Sequence, residues 1–457
     1  MALQAPEGTR DLLPDESRFW SHFKQTAADV FGRYGYLPIE TPMFEQTELF
    51  VRGIGEATDV VSKEMFQAIS GENMKKLLAG ESIKSKSRLS LRPEGTAGVV
   101  RAVVQHDLVP QGAPPVKLMY AGPMFRAERP QKGRYRQFNQ IGVECLGAED
   151  PTTDAEVIIM LMRFFTAIGI PETSMRLLVN SMGCDECRPI YRERVRTYME
   201  EHASELCDEC MRRAEINPLR AFDCKNPSCS AVMDAAPKIT DYLCDECKEH
   251  YAAVKSLLDG AGIEYTQDTR LVRGLDYYTR TVFEVQVIDG LGSQNAIGGG
   301  GRYDKLAEEV GGRATSGLGF ALGYERCLLA LQAAGFELPS AGRCDLFIAC
   351  VDDSMRAAAF GLLQMARDAG LVCEMDHQGR SLKSQFKLAD KLGALRVAIL
   401  GPDELAAGKL KIRDMATRRE ALVDLEAAKK LLAHFSGLPF GGKVPKIEDV
   451  FPMGDEE

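Results

Sequence analysis

The sequence predicts an α+β fold, with a helical, cysteine-rich subdomain inserted into the first domain and a separate α/β domain after it. Residues 1–183 mix strand-like apolar runs with helical patterns, and the same mixture returns at 263–337. Between them, residues 184–262 combine helical patterns with four pairs of cysteines. After the linker-like LPSAGR at 338–343, strand and helix patterns alternate over 343–435.

The elements of the first domain follow from hydrophobic spacing. Strands are predicted where apolar or alternating runs occur, at residues 116–122, 175–180 and 281–288. Residues 154–169 have the period of a helix, and a second helix is expected from near Gly319 to a glycine stop at Gly335. The polar residues 70–90 carry no clear period, which favours a surface loop or a mobile hairpin.

The second domain alternates between the two periods. Strands are predicted at residues 344–350, 371–376 and 395–400. Helical patterns between them, at 354–369 and 381–392, imply a largely parallel sheet. Residues 409–415 and 420–425 could pair before a last helix that ends at about residue 435. Residues 436–457 are rich in glycine and proline and are expected to form a fraying tail.

Composition limits the classes of function. The chain has 457 residues, a formal net charge of -10 and 45% hydrophobic residues, which describes a globular protein with sizeable cores. Its acidity argues against a general coat protein for nucleic acid, because such proteins have a net basic surface. The sequence contains no apolar run long enough to cross a membrane and no signal-peptide pattern, so a cytoplasmic protein is expected.

Eight of the thirteen cysteines fall within one window and form four pairs: Cys184 and Cys187, Cys207 and Cys210, Cys224 and Cys229, Cys244 and Cys247. Such spacing is typical of structural zinc sites with four thiolates, and eight thiolates suffice for two sites. The spacing leaves open whether the pairs combine in sequence or in a nested order. Reduced thiols without metal and an iron–sulfur cluster are the alternatives.

Positive charge is concentrated at residues 125–144, FRAERPQKGRYRQFNQIGVE, although the chain as a whole is acidic. Apolar, strand-like runs flank the charges, which predicts a hairpin loop. Arginine suits bidentate contact with phosphate oxygens and stays charged at any working pH, so the loop is a candidate phosphate site. A solvated surface loop is the alternative.

At this point the motifs match a known family. The segment 125–144 resembles motif 2 of class II aminoacyl-tRNA synthetases, and GLGFALGYERCLLAL at 317–331 resembles motif 3. Motif 1 is similar to YLPIETPMFE at 36–45. RGLDYYTRTVFEV at 273–285 and GGGGRYD at 298–304 resemble sequences peculiar to histidyl-tRNA synthetases, and LRPEGTAG at 91–98 also fits.

The resemblance implies a class II catalytic domain built on an antiparallel sheet (1–183 and 263–337), a C-terminal anticodon-binding domain (343–435) and a homodimer. It also implies the substrates: L-histidine, ATP with Mg²⁺, and histidine tRNA. Histidine and ATP would form histidyl-adenylate, and the amino acid would then pass to the tRNA 3′ end. Zinc goes beyond the resemblance, because many family members lack these cysteines; on the cysteine spacing, the inserted subdomain (184–262) would hold structural Zn²⁺ and lie against the acceptor stem.

The site residues are likewise implied by the resemblance. The catalytic cations would be Arg126 and Arg273. The ATP contacts would be Arg126, Glu128, Arg134, Phe138 and Arg326. The histidine contacts would be Glu94, Gly95, Thr96, Arg126, Gln140, Glu144, Arg273, Tyr277 and Tyr278, with the glycines of 298–301 as the pocket floor. The tRNA contacts would be Gln131, Arg136, Lys383, Lys387 and Lys391, of which the lysines are spaced by four and share one face of a helix.

Two other functions are compatible with part of the sequence. A synthetase-like regulatory paralogue without aminoacylation activity would share the fold, but such relatives usually lack the anticodon domain and lose the motif-2 and RGLDYY residues. A zinc-dependent nucleic-acid-binding module would explain the cysteines but none of the predicted ligand residues.

Overall fold

The computed structural model describes residues 3–56, 58–338, 344–435 and 446–453. The chain divides into two compact units, Met1–Glu337 and Leu338–Glu457. Within the described ranges, no helix is both long and apolar enough to cross a membrane.

Eleven strands are described in the first unit: β1 (Leu37–Pro38), β2 (Phe44–Gln46), β3 (Gln67–Ala68), β4 (Leu89–Leu91), β5 (Val116–Phe125), β6 (Gln137–Leu146), β7 (Met175–Ser181), β8 (Thr266–Gln267), β9 (Thr279–Val287), β10 (Ala296–Arg302) and β11 (Gly317–Gly323). Eight of them form one sheet in the order β1-β5-β6-β11-β10-β9-β7-β8, and β2, β4 and β3 form a small second sheet. The large sheet is antiparallel except at its edges, where β1 pairs with β5 and β8 with β7 in parallel. The predicted antiparallel sheet is therefore confirmed.

The helices of this unit are α1 (Pro14–Gly32), α2 (Thr47–Ile54), α3 (Gly71–Leu78), α4 (Thr96–Gln105), α5 (Pro151–Ala167), α6 (Cys187–Glu201), α7 (Asp208–Ile216), α8 (Pro227–Asp234), α9 (Asp245–Gly260), α10 (Leu306–Glu309) and α11 (Tyr324–Ala333). Aromatic rings join α1 and α5 to the sheet: Phe31 lies 5.3 Å from Phe164 and 5.5 Å from Phe320, measured between ring centroids. Burial of these apolar faces is the main force that holds the helices on the sheet.

The predicted hairpin of residues 125–144 is confirmed. Strands β5 and β6 pair antiparallel from Val116 opposite Leu146 to Phe125 opposite Gln137. The cationic loop 126–136 therefore begins where the ladder ends.

Two sequence predictions in this unit are wrong in detail. Residues 317–323 form strand β11 and not the start of a helix, because this apolar, glycine-rich run is paired on both sides, with β6 and β10, in the middle of the sheet. The helix begins only at Tyr324. Residues 70–90 are not a plain loop, since Ser70 accepts a hydrogen bond from the Asn73 amide and caps helix α3.

The inserted subdomain is helical, as the sequence predicts, and consists of α6 to α9 with short 3-10 turns. A buried network links its last helix to the sheet. The imidazole Nε2 of His250 lies 3.2 Å from Asp154 Oδ1, and the Arg302 guanidinium donates to the same carboxylate. Burial raises the pKa of the Asp154 carboxyl, but hydrogen bonds from His250 and Arg302 outweigh it and the pKa is lowered.

The second unit is a mixed sheet covered by helices. Its strands are β12 (Cys344–Cys350), β13 (Cys373–Met375), β14 (Ala394–Leu400), β15 (Lys409–Asp414) and β16 (Glu420–Asp424), in the order β13-β12-β14-β15-β16. The first three are parallel and the last two antiparallel. Its helices are α12 (Arg356–Asp368), α13 (Leu382–Lys391), α14 (Pro402–Ala406), α15 (Leu425–Phe435) and α16 (Ile447–Val450).

The predicted fraying of residues 436–457 is wrong for the part that the structure describes, 446–453. Helix α16 packs in the core of the second unit, where the Phe451 side chain is completely buried. The Arg396 guanidinium donates to the Phe451 carbonyl oxygen at 2.6 Å. An apolar Ile-x-x-Val-Phe pattern was the signal for this docked helix, and the surrounding glycines and prolines masked it.

Candidate active site

A cavity of about 220 Å³ opens in the first unit, over the sheet strands β6, β10 and β11. It brings together residues that are far apart in sequence, from Glu94 to Arg326. Most of the predicted ligand residues line it: Glu94, Thr96, Arg126, Glu128, Arg134, Phe138, Gln140, Arg273, Tyr277, Tyr278 and Arg326.

The cations of the cavity come from three separate motifs. Arg126 and Arg134 lie at the two ends of the hairpin loop, Arg273 precedes β9, and Arg326 is on the first turn of α11. Burial and then the neighbouring Arg134 lower the pKa of the Arg326 guanidinium. Crowded cations of this kind are stabilised by an anion, which makes this end of the cavity suited to phosphate.

The Phe138 ring adjoins the cations of the hairpin loop. The Arg126 guanidinium carbon lies 5.4 Å from the centre of the Phe138 ring, while its Nε donates to the Pro93 carbonyl oxygen at 2.9 Å. Glu128 is held between two arginines, with Arg134 NH1 at 3.0 Å and Arg126 NH1 at 3.7 Å. A planar ring beside oriented polar groups can stack on a nucleobase.

The other end of the cavity is polar and more deeply buried. The Glu94 carboxylate accepts hydrogen bonds from the Thr96 and Ala97 amides, at 2.7 and 2.9 Å, and so caps helix α4. Burial raises the pKa of this carboxyl. Gln140 lines the same region, and within the described chain its Oε1 is buried without a hydrogen-bond partner. Because unpaired buried polar atoms are costly, this end is suited to a polar ligand.

Glu144 lies behind the cavity wall rather than in it. The carboxyl is completely buried, accepts a hydrogen bond from Thr96 Oγ1 at 2.6 Å and another from the Tyr303 hydroxyl. Burial raises its pKa to about 8. Thr96 and Tyr303 both line the cavity, so Glu144 is one hydrogen bond away from it, and its predicted contact with the ligand stays a prediction.

Arg273 is fixed by an ion pair at the cavity wall. Its NH1 lies 2.6 Å from Glu284 Oε2, and its guanidinium carbon is 5.9 Å from the Tyr278 ring centre. Burial lowers the pKa of Arg273, but Glu284 outweighs it and the pKa is raised, so the side chain is a permanent cation. Its Nε is buried without a partner among the described residues.

Tyr277 and Tyr278 are both buried at the cavity, with ring centroids 4.6 Å apart. Tyr277 also lies 5.6 Å from Tyr303, measured in the same way. The three rings form one wall, so both tyrosines of the pair that the sequence singled out lie at the site.

The glycines serve packing more than ligand contact. Gly298 and Gly299 line the cavity, whereas Gly300 and Gly301 are not among its lining residues. A Cβ on Gly300 would lie 1.9 Å from the Gly319 carbonyl oxygen. Gly95 is not among the lining residues either, and a Cβ there would lie 2.2 Å from the Tyr120 ring. Of the predicted glycine floor, Gly298 and Gly299 thus line the cavity, and contact of the glycines with a ligand stays a prediction.

The residues predicted to contact tRNA lie outside the cavity. Gln131 is exposed at the tip of the hairpin loop. Arg136 donates to the Glu7 carbonyl oxygen at 3.2 Å and thus ties the N-terminal segment to the loop. In the second unit, the exposed lysines of α13 share one helix face, as the sequence predicts: Lys383, Lys387 and Lys391.

The four cysteine pairs combine in the nested order. An outer cluster joins Cys184, Cys187, Cys244 and Cys247, and an inner cluster joins Cys207, Cys210, Cys224 and Cys229. The sulfur atoms of each cluster lie within 4.8 Å of one another, and three Sγ–Sγ distances are 3.6, 3.8 and 4.0 Å.

Both clusters fit zinc. A tetrahedral ion with Zn–S bonds of about 2.3 Å places its sulfurs about 3.8 Å apart, which matches these separations. Backbone amides also donate to the sulfurs, from Cys244 to Cys187 at 3.0 Å and from Cys207 to Cys229 at 3.2 Å. Such donors stabilise the thiolate form that binds metal.

Comparison with known proteins identifies the family. The family model "Histidyl-tRNA synthetase" matches residues 8–327 of this sequence. This chain belongs to the histidyl-tRNA synthetase family. The model "Anticodon binding domain" matches residues 345–434, so the two-part organisation of a synthetase extends over both units.

Relatives within the family cover almost the whole chain. A histidine–tRNA ligase of Halothermothrix orenii is 45% identical over 93% of this chain and 97% of its own length, and one of Desulforamulus reducens is 47% identical over the same shares. The crystal structure of apo S. aureus histidyl-tRNA synthetase is 36% identical, with a TM-score of 0.77 over 95% of this chain and all of that one. The resemblance and the fold class drawn from the sequence are confirmed.

Sequence reasoning missed several residues of this synthetase site. Tyr303 and Glu284 line the cavity, and both lie inside the segments that carried the resemblance, 298–304 and 273–285. Glu325, next to Arg326, accepts hydrogen bonds from the Asn139 amide and side chain at the cavity wall. Such contacts join residues from distant strands, and no spacing rule indicates them.

Proposed function

We propose that this protein joins L-histidine to histidine tRNA in two steps that consume ATP. The observation that carries the proposal is the convergence of Arg126, Arg134, Arg273 and Arg326 on one cavity whose far end is lined by buried carboxyl, amide and phenol groups. Membership of the family and the match of the second unit to an anticodon-binding domain support the same activity.

In the first step, ATP enters as its Mg²⁺ complex and a histidine carboxylate oxygen attacks the α-phosphorus. The bond from this phosphorus to the bridging oxygen breaks, and pyrophosphate leaves. Arg126 and Arg273 neutralise the charge on the α-phosphate, while Arg134 and Arg326 hold the outer phosphates. Phosphoryl-group chemistry needs positioning and electrostatic stabilisation, which these guanidinium groups supply without a protein nucleophile.

The substrate amino acid is recognised at the polar end of the cavity. The buried Glu94 carboxylate and the unpaired Gln140 oxygen accept from the ammonium group of histidine. Tyr278 and Glu144 contact the imidazole, and the Tyr303 hydroxyl, which donates to Glu144, orients that carboxyl. A site that pairs both ring nitrogens rejects side chains without them, because its own polar groups would stay unpaired.

In the second step, a ribose hydroxyl oxygen at the tRNA 3′ end attacks the carbonyl carbon of the adenylate. The carbon–oxygen bond to AMP breaks, and the hydroxyl proton is released. The lysines of α13 bind the tRNA backbone as part of the second unit, and Gln131 and Arg136 of the hairpin loop face the acceptor end. Retention of this unit and of the cavity residues favours a ligase over a regulatory paralogue.

Zinc occupies both cysteine clusters in this proposal, as a structural ion that closes four thiolates around itself. The ion supplies folding free energy to the inserted subdomain and takes no part in the chemical steps. The sulfur separations and the backbone donors support this occupant.

The assembly is a homodimer and the location is the cytoplasm. Exposed apolar side chains in the motif-1 region, Leu37, Met43 and Phe44, support the dimer, because a self-associating surface buries such groups. Sedimentation of the full chain as a monomer would contradict the dimer.

None of the thirteen cysteines forms a disulfide bond, which fits a reducing compartment and supports the cytoplasmic location.

Histidine-dependent exchange of pyrophosphate into ATP tests the activity. Wild-type protein is expected to exchange only with histidine, and Arg273→Ala to lose at least about 100-fold of the rate, as when one preorganised donor to a transition state is removed. The double variant Arg273→Ala/Glu284→Gln also removes the carboxylate that has lost its ion-pair partner, and it should not restore exchange. The exposed Arg129→Ala variant is the control. Exchange with another amino acid, or none from folded protein, would discard the proposal.

A further inference from the structure

The loop that carries three cavity residues has no regular structure of its own. Residues 273–278, here called the RGLDYY loop, precede strand β9 and place Arg273, Tyr277 and Tyr278 in the cavity wall. A loop without its own ladder of hydrogen bonds needs outside contacts to hold its backbone in one conformation.

One such contact comes from helix α2, where the Ile54 carbonyl oxygen accepts from the Asp276 amide. Further contacts come from the inserted subdomain, and the first is Arg188. Its NH1 donates to the Tyr278 carbonyl oxygen at 2.8 Å and its NH2 to the Asp276 carbonyl oxygen at 3.2 Å. Arg188 directly follows Cys187 of the outer cluster, in the first turn of α6. One guanidinium therefore binds two carbonyls of the RGLDYY loop next to a cysteine cluster.

A second contact comes from the segment between Cys210 and Cys224 of the inner cluster. The Arg220 NH2 donates to the Gly274 carbonyl oxygen at 2.7 Å, and the Asn217 side-chain amide donates to Asp276 Oδ1 at 3.0 Å. Arg220 lies on the 3-10 helix Pro218–Asp223, which ends at Cys224. The inner cluster closes this segment at both ends.

The nested order of the cysteines thus assigns one contact to each cluster. The outer cluster ties the start of α6 to the start of α9, and the inner cluster ties α7 to the end of the 3-10 helix. Metal ligation at these cysteines would fix the backbone that carries Arg188 and Arg220. Metal ligands and the groups hydrogen-bonded to them restrict one another's positions in the same way.

We propose that the two metal-bound cysteine clusters position the RGLDYY loop for amino-acid binding, one through Arg188 and the other through Arg220 and Asn217. This inference rests on the proposed function and deepens it, because it assigns the inserted subdomain a part in the first step, before tRNA is bound. Arg188, Arg220 and Asn217 are positioning residues, since none of them lines the cavity.

The kinetic test uses pyrophosphate exchange without tRNA. Arg188→Ala is expected to raise the KM for histidine about tenfold, the effect of losing charged donors to two carbonyls, while the KM for ATP and the melting temperature change little. The matched control is Arg194→Ala, an exposed arginine on the same helix. Unchanged KM for histidine, or a loss confined to aminoacylation of tRNA, would overturn the inference.

A charge-preserving variant separates positioning from folding. Arg188→Lys keeps one cationic donor and should give a KM for histidine between those of wild type and Arg188→Ala. If Arg188→Ala does not fold, Asn217→Ala and Arg220→Met carry the test on the second contact. Wild-type KM values in both of these would equally overturn the proposal.

The role of metal is tested by binding rather than by activity. Elemental analysis of the full chain should find two zinc ions, and chelation should weaken histidine binding at least about tenfold by titration calorimetry, with recovery on adding zinc chloride. Cys247→Ser, in the outer cluster, should weaken histidine binding in wild-type protein but have a much smaller further effect in Arg188→Ala. Both substitutions are expected to disrupt the same contact with the RGLDYY loop. Additive losses, or no zinc in folded protein, would contradict the metal link.

The outcomes distinguish the two proposals. If wild-type protein shows no histidine-dependent exchange, the proposed function fails and the inference falls with it. If wild type exchanges normally and the Arg188 and Arg220 variants match it, the function stands and only the positioning role is lost.

Discussion

At the scale of one residue, Glu144 shows how burial changes the pKa of a carboxyl group and so keeps it protonated. The carboxyl is completely buried between Thr96 and Tyr303, and its pKa rises from an ordinary value of 4.5 to about 8. In the folded protein without ligand, the group keeps its proton up to about pH 8, whereas the unfolded chain loses it near pH 4.5. Unfolding therefore releases a proton between these values, and the free energy of unfolding falls as pH rises through this window.

We predict that Glu144→Gln removes this dependence, because glutamine carries no titratable proton. Relative to wild type, the variant should gain stability from pH 5 to pH 8, by up to about 1.4 kcal/mol per pH unit. Melting temperatures of both proteins at several pH values, without histidine, measure the difference. The exposed Glu149→Gln variant should follow wild type throughout. A constant difference between Glu144→Gln and wild type would show that the carboxyl titrates normally.

Strands β10 and β11 show at the scale of the element why a glycine run belongs in a sheet. Gly300 pairs with Phe320, and a Cβ on Gly300 would lie 1.9 Å from the Gly319 carbonyl oxygen and 2.6 Å from the Phe320 Cα. A Cβ on Gly319 would lie 2.0 Å from Glu144 Oε2. The strands approach so closely only because these positions have no side chain.

We predict that Gly300→Ala destabilises the first unit by about 3 kcal/mol, since the new methyl group meets backbone that cannot move aside. Gly323→Ala, at the end of β11, is the matched control, because a Cβ there meets no atom within 4 Å and the residue has an extended φ of -96°. Its effect should stay within about 0.5 kcal/mol. Urea unfolding of the three proteins measures both, and equal stabilities would contradict the packing argument.

At the scale of the whole molecule, each of the two units has a core of its own. The core of the second unit includes residues that follow helix α15. Ile447, Val450 and Phe451 are buried against strands and helices of the same unit. The described segment 446–453, which follows the anticodon-binding match at 345–434, is thus a structural part of that unit.

We predict that Phe451→Ala destabilises the second unit by about 3–5 kcal/mol, the usual result of removing a buried phenylalanine ring. Pyrophosphate exchange, which depends on the cavity of the first unit, should be unchanged, while aminoacylation falls at temperatures where the second unit unfolds. Glu448→Ala, an exposed residue of the same helix, is the control. A wild-type unfolding curve for Phe451→Ala would show that the docked segment contributes no stability.

The sequence predicts some features of the first unit, such as the motif-2 hairpin, and misses others close to it, such as strand β11 and Tyr303. The motif-2 hairpin was predictable because two apolar runs flank one polar loop, and antiparallel pairing then follows from the short connection. Strand β11 was not, because GLGFALG is apolar without a clear period, and only pairing on both sides decides between strand and helix. Tyr303 was missed although it lies in a motif segment, since its place in the wall depends on its side chain reaching Glu144 of β6, which is separated from β10 by β11.

By itself the sequence determined the family, the α+β class and most of the charged residues of the cavity wall, because motif residues and hydrophobic periods are local properties of the chain. Tertiary structure decided which cysteine pairs meet, that Thr96 and Tyr303 donate to Glu144, and that Arg188 and Arg220 reach the RGLDYY loop. These are distances between residues far apart along the chain. They depend on the path of the backbone between those residues, and spacing in sequence does not specify that path.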